Sequence, residues 1–411
     1  MLLYIDPGTG SMLFTILLGI IGTIEYFLKL FYFKAKYNIR GKKDSSENHE
    51  KIPYVIFSDD KRYWYTFEAI CDYFDAKDLK LEYWTASEDD PALTKEYKTV
   101  RCRFIGKSNK AYAKLNNMSA TICLSTTPGL NVYQWRRSKN VDWYVHIFHG
   151  ASQAMQYRMF GLDFYDAVLT TGPLAEKYIR KLEDLRGIPK KEISMCGCTT
   201  LDMLLRRKKE TIRDIKKSKK CEKTVLLAPT WGKSGILSKF GDSLIDALLK
   251  TTFKIIIRPH PQSMISEIQM IEHLKEKYPD GEKIEWNFDV DNFDVLSVAD
   301  VLISDFSGVL YDFAFIFDKP VIYADTTFDA APYDIAWMDE PLWILTILEK
   351  LGVRLKEEDF DRIGTVMESV MNNDIYAEGR KYVRDQVWAY RGRSAENISE
   401  YMIKKYDEIA S

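Results

Sequence analysis

Short β-branched and aromatic runs alternate along the chain with longer segments whose apolar residues return on one helical face. Residues 53–58 make the first run, and residues 61–74 follow as a helix with its aromatics to one side. Runs at 99–105, 120–125, 143–148, 167–171 and 193–196 read as further strands, with a helix at 174–185 between the last two. A second series has strands at 224–228, 253–257, 283–286, 301–304 and 321–323. Its helices fall at 238–250, 264–278 and 309–317, and the tail from 357 onward reads as helical throughout. Strands alternating with helices predict parallel sheets covered on both faces. The fold class expected is α/β, with two Rossmann-like domains facing an interdomain cleft.

The start of the chain breaks this pattern. Residues 11–33 are almost wholly apolar, interrupted by Glu25 and Lys29, whose i, i+4 spacing lets them pair on a helix. The run has the length that crosses a bilayer. Lys34, Lys36, Arg40, Lys42 and Lys43 follow it and no Lys or Arg precedes it. The positive-inside rule then puts the large domain on the cytoplasmic side of a cell membrane, held by a single anchor. The missing basic n-region argues against a cleaved signal peptide. Because Glu25 and Lys29 shorten the clean apolar core, a helix lying in the membrane interface is the rival reading. The organisation expected is an anchor helix at 1–40, a linker at 41–51, a first domain at 52–205, a basic linker at 206–223, a second domain at 224–375 and C-terminal helices at 376–411.

Composition narrows the class. The chain has 411 residues, long for one core, and a net charge of −2, which carries no global sign of a nucleic-acid partner. Residues 206–223 hold ten Lys/Arg against three acids, either a solvated face or a contact for anionic lipid or polymer. Cys71, Cys102, Cys123, Cys196, Cys198 and Cys221 include no C-x-x-C pair and read as small buried hydrophobes in a reducing compartment. No dense carboxylate or histidine cluster points to a metal site, and no cofactor is expected.

The candidate chemistry sits where strands end. Residues 253–257 run into Arg258-Pro259-His260-Pro261, where the prolines bar a helix and hold the imidazole at a strand tip. Arg258 is a bidentate phosphate ligand by chemistry. The strand at 301–304 ends in Ser304-Asp305-Phe306-Ser307-Gly308, in which Ser307 caps a helix and Gly308 permits close approach of an anion. Thr230, in Pro229-Thr230-Trp231-Gly232-Lys233, leaves a third strand. It is no P-loop, because the upstream glycine is missing. In the first half a strand ends in His149-Gly150, the placement of a general base. His146 reads as a core histidine. Each tip alone is an ordinary cap or turn; together they suggest a phosphate-bearing substrate, since ligands of open parallel sheets bind beyond the strands' carboxyl ends.

These tips, taken with Asp312-Phe313 and the late Arg391-Gly392-Arg393-Ser394-Ala395, resemble the CDP-glycerol glycerophosphotransferase family, the teichoic-acid primases and polymerases of GT-B fold, over residues 140–400. The resemblance implies transfer of glycerol phosphate from a CDP-alcohol donor, CDP-glycerol, to a hydroxyl of a lipid-linked polymer acceptor at the membrane, with release of CMP. It implies an acceptor-holding first domain and a donor-holding second one. His149 and His260 would be catalytic, His149 as the base. Arg258, Thr230, Ser304, Ser307 and Gly308 would hold the donor phosphates. Two departures stand out: Ala151-Ser152-Gln153-Ala154-Met155 replaces the family's usual Thr-Pro and nearby Lys, and Gly232 stands where an Arg is common. Two alternatives stay open: a nucleotide-sugar glycosyltransferase or epimerase, to which Arg-Pro-His-Pro is also similar, and an inactive scaffold of a polymer-export assembly.

Overall fold

The computed structural model describes residues 51–151, 154–215 and 222–411. The anchor helix expected at 1–40, the linker at 41–51 except its last residue, and Cys221 lie outside them. Among the described residues no helix is long and apolar enough to cross a membrane.

Seven parallel strands form the sheet of the first half: β1 (Ile52–Ser58), β2 (Leu81–Thr85), β3 (Val100–Phe104), β4 (Ala120–Ser125), β5 (Val141–Ile147), β6 (Ala167–Thr170) and β7 (Glu192–Met195). Their order is β3-β2-β1-β4-β5-β6-β7. The second half repeats the plan with β8 (Thr224–Leu227), β9 (Lys254–Ile257), β10 (Ile284–Trp286), β11 (Val301–Ser304), β12 (Val321–Ala324) and β13 (Gly352–Leu355), in the order β10-β9-β8-β11-β12-β13. Both are doubly wound α/β sheets, and each reverses its order beside its first strand, at β1/β4 and at β8/β11.

Period-2 alternation divides the cores. On β1, Tyr54 and Ile56 face the helices Trp64–Ala76 and Ser394–Ala410, while Val55 and Phe57 enter a second cluster. That second cluster runs on into the other half through Leu226 of β8 and Leu302 of β11, so the halves share apolar core and residues 52–411 form one compact unit. The outer face of the second sheet carries Val225, Leu227 and Ile303 against the helices Ile236–Leu249 and Ile363–Asn372.

Several elements differ from the sequence reading. β2 was not expected: its Leu-Glu-Tyr-Trp-Thr alternates buried with half-buried positions at the sheet's flank, so it lacks a continuous apolar run. β13 was hidden by its opening glycine and its arginine. Gly352 is required there, since a Cβ would lie 1.8 Å from the Val321 carbonyl oxygen. Part of the stretch read as a basic linker, residues 206–215, continues the helix Thr199–Ile215. The helix expected at 309–317 is a short α-turn, Val309–Tyr311, followed by a π-helical turn, Asp312–Phe317. The helical tail is a 3-10 helix, Glu357–Arg362, and three α-helices, and the last returns to the first sheet, where Ile398 and Met402 pack with Tyr54 and Ile56.

Two polar ties hold this arrangement. Asp202 accepts from Trp388 Nε1 at 3.0 Å, the Gly392 amide at 2.7 Å and the Ser394 amide at 2.9 Å, fastening the segment that leads into the last helix. Arg186, at the end of the helix Pro173–Arg186, bonds Asp163 at 2.6 Å and Asp334 at 2.5 Å. Its guanidinium lies against both the Phe160 and Trp337 rings, 4.8 and 5.0 Å from their centroids, and the two rings themselves meet edge to face at 6.3 Å. Asp334 belongs to the loop after β12, so this tie joins the halves directly.

Candidate active site

The carboxyl ends of both sheets open on one cleft of about 750 Å³, walled by the segments that follow β1, β4, β5, β8, β9, β10, β11 and β12. This is where doubly wound sheets bind ligands. The two halves contribute one histidine each.

His149 stands just past β5. Its Nδ1 lies 3.3 Å from Thr126 Oγ1, its carbonyl accepts from Thr200 Oγ1 at 2.9 Å, and the Tyr63 ring sits at 4.9 Å. Both the backbone and the ring are thus located by elements distant in sequence. Burial, and then the charge of Arg62, lower its pKa from 6.5 to about 4. The imidazole is neutral at physiological pH, as a base must be. Arg62 lines the same wall and is held by Asp60 through Nε at 2.9 Å and Nη2 at 3.2 Å.

His260 faces it from the second half. Its Nδ1 accepts from the Gln262 amide at 3.1 Å, so the neutral ring carries its proton on Nε2 as a donor. Burial lowers its pKa to about 4 as well, with Arg62 and His149 adding to the effect. Both rings line the same cleft.

The Asp305–Gly308 turn is organised by a carboxylate. Asp305 is fully buried and accepts from the amides of Thr230 at 2.9 Å, Ile236 at 3.2 Å and Ser307 at 3.1 Å. Burial still raises its pKa to about 6 against those three bonds. By binding both turns Asp305 sets Thr230 beside Ser307, and the two residues, with Gly308, line the cleft. A Cβ on Gly308 would meet nothing within 4 Å, so the turn is open to a ligand. Just beyond it the Leu310 and Tyr311 amides donate to the Ser307 and Gly308 carbonyls, each at 3.1 Å, which closes the turn.

Two residues expected to hold phosphate are placed otherwise. Ser304 is fully buried, and its hydroxyl donates to the Ala228 carbonyl at 2.6 Å. It is the last residue of β11 and still points into the sheet, so it braces the two turns and does not reach the cleft. Arg258 borders the cleft, but its guanidinium is engaged: it bonds Asn287 Oδ1 and donates to the Asp289 carbonyl at 2.9 Å. It anchors the loop after β10. The core reading of His146 agrees with its full burial and its contact from Nε2 to Tyr157 Oη at 3.0 Å.

Arg62, Tyr63 and Arg158, not singled out in the sequence, also line the cleft, together with Lys233 of the Thr230 tip and Asp312. Arg158 and Lys233 are exposed cations with no ion pair among the described residues. Asp312 was noted beside Phe313 without a role. Among the described residues no group of three or more His, Cys, Asp or Glu is placed to hold a metal ion.

Residues 43–404 match the model of a family described as CDP-Glycerol:Poly(glycerophosphate) glycerophosphotransferase. No curated protein sequence matches the chain. Among solved structures, a variant of the wall teichoic acid polymerase TagF with CDPG superposes with a TM-score of 0.56 at 15% identity, covering 93% of this chain and 96% of that one. MnaA of S. aureus, in complex with UDP, gives 0.56 at 12% identity over 88% and 98% of the two chains. UDP-GlcNAc 2-epimerase from Neisseria meningitidis, bound to UDP-GlcNAc, gives 0.52 at 14% over 86% and 100%. At these identities the likenesses establish the fold, a GT-B-like pair of parallel sheets.

Proposed function

The chain belongs to the CDP-glycerol:poly(glycerophosphate) glycerophosphotransferase family, and from that premise we propose that it moves glycerol phosphate from CDP-glycerol to a hydroxyl of a lipid-linked or surface-polymer acceptor, releasing CMP. The observation that carries this reading is the pair of neutral histidines facing one cleft from opposite halves, His260 beside an open turn of amides and hydroxyls. The structural likeness to TagF with CDPG supports the same donor.

Phosphoryl transfer asks for positioning and charge stabilisation more than covalent chemistry. In the tautomer that donates Nδ1–H to Thr126, His149 Nε2 carries the lone pair and takes the proton of the acceptor hydroxyl. The freed oxygen attacks the phosphorus that bears glycerol, the bond from that phosphorus to the bridging oxygen breaks, and CMP departs with its electron pair. His260 Nε2–H, the hydroxyls of Thr230 and Ser307 and the amides near Gly308 hold the donor phosphates. Arg158 and Lys233 supply further positive charge at the cleft. Arg258 acts one step back, by fixing the loop after β10. In this scheme the first half holds the acceptor and the second the donor. The apolar segment at 11–33 keeps the enzyme at the membrane, where a lipid-linked acceptor lies.

Incubation with CDP-glycerol and membrane-borne acceptor should release CMP, and no release across a panel of CDP-alcohols overturns the reading. His149→Ala should abolish turnover while donor affinity stays within about threefold. Full turnover in that variant removes His149 as the base. Release of a nucleoside diphosphate from a sugar nucleotide would favour a glycosyltransferase or epimerase.

A further inference from the structure

Asp312 is a carboxylate in a cleft otherwise suited to anions. It begins the π-helical turn Asp312–Phe317 and lines the cavity. Such turns widen the helix and gather at functional sites. Its Oδ2 accepts from Asn292 Nδ2 at 2.9 Å. Its other oxygen accepts no hydrogen bond, and no cation pairs with the carboxylate, among the described residues. Burial raises its pKa to about 6, with the Asn292 bond opposing, so at neutral pH it is mostly an unpaired anion facing the cavity.

Its position is fixed from both halves. Arg258 braces the Asn287–Asp289 stretch, and Arg207 of the helix Thr199–Ile215 bonds Asp291 at 3.1 Å, which together locate Asn292. Asp312 lies near enough to Cys198 to influence its thiol. Two residues on, Thr200 holds the His149 carbonyl. The turn Asp312–Phe317 packs against the helix Thr199–Ile215, so Asp312 lines the cleft on the side of the helix that carries Thr200.

A carboxylate placed there repels phosphate. It is satisfied by a ligand group that carries O–H donors and no charge. We propose that Asp312, oriented by Asn292, binds the vicinal hydroxyls of a glyceryl group at the reacting end of the cleft and so selects glyceryl over plain alkyl substrates. This rests on the glycerol-phosphate transfer proposed above. Two substrates present that chemistry: the glyceryl group of the donor and the terminal glyceryl group of the acceptor chain.

The test uses the full chain, with CDP-glycerol against CDP-propanol as donors and acceptors ending in glyceryl against propyl alcohol. Titration calorimetry reads donor affinity without turnover, and CMP release reads acceptor preference. Wild-type protein should prefer the glyceryl partner by about 10–100-fold, and Asp312→Ala should reduce that preference to within about threefold by weakening the glyceryl partner alone. The arm in which preference collapses identifies which substrate Asp312 reads. Asp312→Asn keeps the shape and an acceptor for Asn292, so an intermediate preference from a protein of unchanged melting temperature separates recognition from misfolding. Unchanged preference in both arms for Asp312→Ala overturns the proposal. So does an Asp312→Ala variant that keeps the glyceryl preference but loses discrimination between CDP-glycerol and its 2′-deoxycytidine analogue, which would assign Asp312 to the ribose. Wild-type protein that binds CDP-glycerol over CDP-propanol yet releases no CMP would refute the transfer reaction while the donor arm still decides the role of Asp312.

Discussion

Replacing Arg186 by alanine leaves two buried carboxylates without their cation. The Arg186, Asp163 and Asp334 side chains are 3%, 9% and 1% exposed, so solvent cannot take over the lost interaction. Breaking a buried ion pair by removing one partner costs about 3–5 kcal/mol. Loss of the cation–π contacts with Phe160 and Trp337 adds about 1 kcal/mol. The expected cost is then on the order of 4–6 kcal/mol. Residues 52–411 unfold with an entropy that makes each kcal/mol worth roughly 1–2 °C, so the melting temperature should fall by about 5–8 °C.

A pH control separates this mechanism from general damage. Once the guanidinium is gone, the two carboxylates share a dry site, and the Asp334 carboxyl, already held above its ordinary value by burial, loses the cation that opposed that rise. A raised folded pKa means that the folded state binds protons where the unfolded state does not, so the variant regains stability as pH falls through that value. The deficit against wild type should therefore be smaller at pH 5 than at pH 7.5 by calorimetry. Arg186→Met combined with Asp163→Asn and Asp334→Asn should recover much of the loss, since a neutral set of similar volume has no charge to desolvate. A fall of less than 2 °C for Arg186→Ala, or a deficit independent of pH, would refute the reasoning.

Two further outcomes follow from the same geometry. Because His149 and His260 have folded pKa values near 4, kcat/KM should stay level down to about pH 5.5 and fall only below about pH 5; an acid limb at 6.5 would contradict the burial of both rings. The sign for stability agrees, since a lowered histidine pKa contributes stability above the unfolded value of 6.5 that is lost as pH drops toward 4. Asp202→Ala removes three acceptor contacts and should cost about 2–4 kcal/mol in denaturant unfolding, with faster amide exchange in Ser394–Ala410; unchanged exchange there would show that the last helix is held by its apolar face alone.

The strand tips were legible because each joins a β-branched run to residues that stop a strand: Gly after His149, Pro on both sides of His260, Ser-Gly after Asp305. That local grammar places a side chain at the end of a strand but does not say which way it faces. Ser304 and Ser307 are three residues apart, yet one is the last inward position of β11 and the other lies beyond the turn on the cleft. Arg258 shows the same limit. A guanidinium at a strand end suits phosphate until the neighbouring strand's end brings an Asn287 amide and an Asp289 carbonyl to it. Arg62 was hidden for another reason, since its effect on His149 arises from β1 and β5 ending on the same cleft, with β4 between them. The Arg391–Ala395 stretch, noted as a likeness, has a structural cause. Its backbone must meet Asp202 and its Ser394 must pack beside Gly197, where a Cβ would lie 2.4 Å from the hydroxyl oxygen.

The two ties therefore govern different events. Asp202 lies in the first half, and the amides of Gly392 and Ser394 lead into a helix packed on the first sheet, so both ends of that tie travel together if the cleft opens. The Arg186 tie cannot do so, because Asp334 is carried by the loop after β12 while Arg186 and Asp163 are carried by the first half. The same loop pairs with residues 157–160: the Asp334 amide donates to the Tyr157 carbonyl at 2.9 Å, and the Phe160 amide to Asp334 Oδ1 at 2.8 Å. Arg158 and Tyr333, adjacent to those bonds, line the cleft. Separation of the halves must break this set, whereas it leaves Asp202 untouched. Asp202→Ala should thus lower stability with donor affinity preserved, while Arg186→Ala should lower stability and weaken donor binding together. If both variants lost affinity in proportion to stability, the Arg186 contact would be general packing and not a fastening of the cleft.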